Sequence, residues 1–138
     1  MASLHNQITC FLCFVIVGLA LTTPGCGLFS SKDDTIGHVV DAGNSRRSEM
    51  VTPTGKFSDY RVFREVGSDV VVFEHKMKPG LQLDKARANS DQFKADLVSS
   101  LNDSDSRSVL DVGVTFAYSY IDSSGETVCR HAITKDDF

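Results

Sequence analysis

The stretch "VGVTFAYSYIDSSGETVCRHAIT" occupies residues 112 to 134. Its first half alternates strictly. Val112, Val114, Phe116, Tyr118 and Tyr120 fall on one side, with Gly113, Thr115, Ala117 and Ser119 on the other. A period of two in β-branched and aromatic residues is what a strand with one buried face requires. Ser123-Ser124-Gly125-Glu126 supplies a tight connection, with glycine where a positive φ is needed. TVCRHAIT (127–134) then returns as a second strand. Asp122 and Glu126 invite comparison with a calcium loop, but the twelfth position of such a loop would be Ile133 rather than Glu. The segment therefore reads as a hairpin turn. Its aromatic face needs a cover.

Working outward, DKARANSDQFKADLVSSLND (84–103) supplies that cover. Ala86, Phe93, Leu97 and Leu101, with Ser90 between the first two, recur at spacings of three and four, a narrow apolar stripe on a helix, and Asp84 is a candidate N-cap. Phe93 and Leu97 are expected to meet Phe116 and its neighbours. The polar run Asn102–Ser108 reads as loop. Upstream, YRVFREV (60–66) and VVVFEHKM (70–77) flank Gly67-Ser68-Asp69 and predict a second hairpin, which Lys78-Pro79-Gly80 ends. The order is β-β-α-β-β. It predicts an α+β domain over residues 51–138, a four-stranded antiparallel sheet with one helix packed on one face. Residues 26–50 lack sustained periodicity and read as a flexible tether, with Ile36, Val39 and Val40 as a small apolar knot.

Charge divides the chain more sharply than composition does. It has 138 residues and a net charge of -4, and the first Lys, Arg, Asp or Glu is Lys32. A mildly acidic chain with no basic stripe argues against a nucleic-acid partner. Ahead of Lys32, Ile8–Leu21 is an apolar run of 14 residues. A membrane span needs about 20 such residues and a signal-peptide core roughly 7–15. Residues 1–25 accordingly read as a signal peptide, although the positive charge usual ahead of the apolar run is supplied only by His5 and the amino terminus. An uncleaved anchor over residues 8–29 is the alternative.

Thr23-Pro24-Gly25-Cys26 closes that segment and resembles the lipobox of bacterial envelope lipoproteins, with Thr23 in place of the usual Leu-like residue. The resemblance implies that Cys26 becomes the lipidated first residue of the mature protein, held on the extracytoplasmic side of an envelope membrane. Without lipidation the same leader implies secretion. The hairpin motif Y-x-Y-x-D-x-x-G, here Tyr118 to Gly125, is similar to small domains of such lipoproteins; it implies location and fold and no particular chemistry.

Candidates for chemistry are few. Cys10 and Cys13 sit within the apolar run and read as small fillers. Cys129 and His131 are two apart on one predicted strand and point the same way, while His75 lies on another. A thiol with a nearby base can act as a nucleophile, and Cys/His groups bind zinc, so a thiol- or metal-dependent enzyme is the alternative reading. If Cys26 carries no lipid, a Cys26–Cys129 disulfide is open to it. No nucleotide-binding, hydrolase or metalloprotease fingerprint occurs. The expectation is a non-enzymatic binding module without cofactor or metal, attached to a membrane by its N-terminal lipid or anchor and engaging an envelope protein.

Overall fold

The computed structural model of the chain describes residues 31–81 and 83–138. Four strands form one sheet in the order β1-β2-β3-β4: β1 Phe57–Arg64, β2 Val70–Met77, β3 Thr115–Ile121 and β4 Thr127–Ile133. Both hairpins are antiparallel, as their turns predict, with Gly67 at φ 72° and Gly125 at φ 93°. The α+β class and the four-stranded sheet are as read from the sequence. The pairing of the inner strands is not. β2 runs parallel to β3, with Val71 opposite Phe116 and His75 opposite Tyr120.

The reason lies in the crossover. A parallel neighbour requires a connection of a dozen or more residues that returns to the starting end of the sheet. Three helices make that return: α3 Leu83–Ala88, α4 Ser90–Ser100 and α5 Ser104–Asp111. The single helix expected over 84–103 is broken at Asn89, and Asp84 lies in the first turn of α3 rather than ahead of it. The run 102–108, expected as loop, instead starts α5. The Asp103 carboxylate accepts from the Asp105 and Ser106 amides at 3.0 and 2.8 Å, satisfying donors that a helix start leaves free.

The expected tether is overturned over most of its length. Residues 32–45 form a helix, α1 Lys32–Ser45, and a short turn of helix, α2 Arg47–Met50, follows it. Ser31 caps α1, its hydroxyl accepting from the Asp34 amide at 3.1 Å, and Asp33 and Asp34 favour the positive end of the helix dipole. Ile36, Val39 and Gly43 recur at intervals of three and four and are buried. Gly43 is needed there for space: a Cβ on it would stand 2.5 Å from Cγ2 of Val62. The domain thus begins at Ser31 among the described residues, not at Val51.

α1 also closes an edge of the sheet. The Asn44 side-chain amide donates to the Val62 carbonyl at 2.7 Å and its oxygen accepts from the Val62 amide at 2.8 Å. One side chain thereby stands in for a neighbouring strand, and an open edge is blunted. The Tyr60 amide next along β1 donates to Asp59 at 2.8 Å. One sheet face faces the helices and builds the core with Ile36, Val39, Leu97, Leu101, Val109 and Leu110. The other carries charge, including an Arg61–Glu74 pair at 2.6 Å and a pair from Arg130 on β4 to Glu65 beyond β1 at 2.9 Å. Among the described residues no helix is long and apolar enough to cross a membrane.

Candidate functional site

Strand register decides which candidates meet. Two rows run across the helix-facing side of the sheet. Tyr60, His75, Tyr120 and Cys129 form one; Val62, Phe73, Tyr118 and His131 form the next. The three candidates of the sequence therefore share a face, as alternation requires. His75 is separated from Cys129 by the ring of Tyr120. Cys26 lies outside the described residues.

His75 is enclosed by aromatic rings. Tyr120 stacks on it with centroids 4.7 Å apart and planes 11° from parallel, and Phe57 and Tyr60 lie at 5.0 Å. Its Nδ1 has no hydrogen-bond partner and the side chain is 1% exposed. Burial drives its pKa down to about 4, with the Phe73 and Ser119 backbone opposing. A neutral imidazole locked between rings packs as an aromatic residue does. It cannot reach a substrate.

Cys129 and His131 sit at the margin, where α3 and α4 pack on β4. Cys129 has no disulfide partner among the described residues and is half-buried, and burial pushes its pKa up against the opposing charge of Arg87. A raised thiol stays protonated at neutral pH, the reverse of what a nucleophile needs. His131 is pushed down, first by burial and then by Lys94, with Asp91 opposing. One of its ring nitrogens lies 3.4 Å from the Ser90 hydroxyl, and the Phe93 ring is 5.5 Å away. Neither Cys129 nor His131 moves the other's titration. Among the described residues no three of His, Cys, Asp and Glu gather so as to hold a metal ion. What the margin does present is an apolar seam: Leu83 of α3 and Phe93 of α4, like Cys129, are partly buried against the core where those helices pack on β4.

Phe93 meets Tyr120 edge-on at 5.1 Å, the contact expected between helix and third strand. Sequence reasoning placed Ser90 on the helix's inner stripe without a partner, and it missed Asn44. Asn44 carries no signal except its place one residue after the apolar spacing of Ile36, Val39 and Gly43. The Asp122 loop is a turn: its carboxylate accepts from the Ser124 amide, the Ser124 hydroxyl and the Glu126 amide at 2.6–2.9 Å. Those bonds hold its pKa below the usual carboxylate value, the Ser124 contact most.

No protein-family model matches the chain, and no curated protein matches its sequence. Solved structures do match. A Pseudomonas aeruginosa protein described as secreted superposes with a TM-score of 0.62, at 14% identity, over 82% of this chain and 98% of its own. A type II secretion system pilotin from Vibrio cholerae superposes with a TM-score of 0.51, at 16% identity, over 81% of this chain and 100% of its own. The chain shares their fold. At such identity the likeness extends to the arrangement of helices and strands and no further.

Proposed function

We propose that this chain is an exported binding module, held by lipid on Cys26 at the extracytoplasmic face of an envelope membrane, where it engages another envelope protein without catalysis. The observation that carries the reading is the shared fold, which spans nearly all of a secreted protein and all of a secretion-system pilotin. The leader supports it: a 14-residue apolar run followed, five residues on, by Cys26 after Gly25 suits cleavage and lipidation better than spanning. So does the quiet chemistry of Cys129 and His131, whose environments favour an inert thiol and a neutral imidazole. The seam of Leu83 and Phe93 beside β4 is the surface this reading assigns to the partner.

Labelling cells with an alkyne-bearing fatty acid tests the anchor. The wild-type chain is expected to take up label and float with membranes, and Cys26→Ala to lose both; equal labelling of the two overturns the anchor. A photoreactive side chain in place of Phe93 tests the partner. A crosslinked envelope protein that disappears with Leu83→Asp supports the seam, and its persistence removes it. Cys129→Ser is expected to preserve both results.

A further inference from the structure

We propose that one pole of the fold rests on a lipid surface, with Val66, Val112 and Phe138 turned toward it. This rests on the reading that Cys26 carries the lipid anchor.

Among the described residues the exposed large hydrophobic side chains are these three, and Val66 is fully exposed. They come from distant parts of the chain and arrive at the same end of the sheet. Val66 sits in the turn between β1 and β2. The Thr115 amide at the start of β3 donates to the Asp69 carbonyl at 3.0 Å, so the segment holding Val112 meets that turn. Phe116 pairs with Ile133, which puts the end of β4 there too. A 3-10 turn at Lys135–Asp137 then delivers Phe138, whose ring lies 4.7 Å beneath the Arg107 guanidinium of α5. Isolated apolar residues on a surface are ordinary; these three, from separate segments, are set along one end of the sheet.

The chain joins the domain at this same pole. The Lys32 ammonium lies 2.9 Å from Asp69 and beside Gly113, and Arg64 reaches Asp33 at 2.6 Å and Asp69 at 3.0 Å. These pairs clamp the first turn of α1 to the β1–β2 turn. Five residues, Gly27 to Ser31, carry the chain from Cys26 to that clamp. Even fully extended they span at most about 18 Å. A 25-residue tether would have let the domain tumble freely above the bilayer. Five residues hold this pole close to it. The clamp also sets the lipid chemistry: Lys32 and Arg64 are occupied by Asp33 and Asp69, which leaves Lys135 as a single exposed cation beside Phe138 and no basic cluster for anionic headgroups among the described residues. A neutral bilayer met by apolar side chains is the occupant that fits.

The test uses the lipidated protein extracted from membranes, in a Cys129→Ser background so that one engineered thiol is labelled. A fluorophore is placed at Val66→Cys or, at the opposite end of the sheet, at Thr54→Cys. Each protein is reconstituted into phosphatidylcholine vesicles doped with nitroxide-bearing lipid. Quenching is expected to be several-fold stronger at position 66 than at position 54. Equal quenching at the two positions in protein that floats with vesicles overturns the orientation and leaves the anchor standing. Failure to float, for wild type and Cys26→Ala alike, overturns the anchor and the proposal with it. Fluorescence at 66 that follows protein concentration instead of nitroxide lipid makes the pole a contact between two copies, and the proposal falls.

Discussion

His75 shows how little a sequence says about a histidine's role. Beside Glu74 in a charged register it looks available, yet Tyr60, Phe57 and Tyr120 enclose it and no charged side chain moves its titration. With the folded pKa near 4 and the unfolded value near 6.5, the unfolded chain binds more protons between those limits. Stability from this group is therefore full above about pH 6.5 and falls as pH drops toward 4, by about 3 kcal/mol in all. His131 is displaced in the same direction and adds to the loss. The carboxylates held low, Asp59, Asp69, Asp122 and Asp137, lose their contribution only below their ordinary value of 3.8. Urea midpoints measured from pH 7 to 4.5 should thus fall steeply for wild type and less so for His75→Phe, which keeps the stacked ring and removes the proton site. Identical slopes would mean that His75 is not buried neutral. Gly43 is decided by space alone. Gly43→Ala drives a methyl into Val62, and overpacking of that kind costs about 1–3 kcal/mol, readable as a lowered denaturation midpoint.

Elements were legible where one physical signal acted alone. Strict alternation gave β3 and β4, and glycine turns gave both hairpins, because side-chain period and φ are local properties. Helix α1 was obscured because its apolar positions are few and its sequence is rich in Asp and Gly; Ile36 and Val39 find their partners only in the assembled sheet. Helix α5 was obscured because Asp-Ser-Asp-Ser suits loops and helix starts equally, and only the Asp103 cap decides. Strand direction was the remaining error. Two hairpins joined by a long connection fit either pairing, and the choice depends on the end of the sheet to which the helices return. These devices are separately testable. Asp103→Ala removes the cap of α5 and should cost about 0.5–2 kcal/mol in thermal or urea unfolding. Asn44→Ala leaves the Val62 amide and carbonyl at the edge of β1 without their side-chain partner, a loss of about 1–3 kcal/mol. Because it also reopens a strand edge, Asn44→Ala should raise light scattering on heating, whereas Asp103→Ala should not.

At the scale of the molecule the question is where the folding unit begins. Composition places the boundary near Val51, where polar chain gives way to alternating strands. Packing carries it back through α1, to Ser31 where the described residues start. Ile36 and Val39 are 2% and 0% exposed and belong to the same cluster as Phe73, Phe116 and Leu97. Burying each such side chain contributes about 1.5–3 kcal/mol, and the whole stability of a domain this size is roughly 5–15 kcal/mol. Removing α1 discards both residues, uncovers Val62 and its strand edge, and severs the Lys32–Asp69 and Asp33–Arg64 pairs. The surface pairs matter little singly. The apolar cover and the edge closure together amount to most of the available margin. A chain of residues 31–138 is accordingly expected to unfold in one cooperative thermal transition followed by circular dichroism at two wavelengths. A chain of residues 51–138 should show no such transition, or one lowered by tens of degrees, with rapid proteolysis near β1. Should the shorter chain melt as cooperatively and as late as the longer, α1 is an ornament on a finished domain. The five-residue distance from Cys26 would then no longer fix how that domain stands on a membrane.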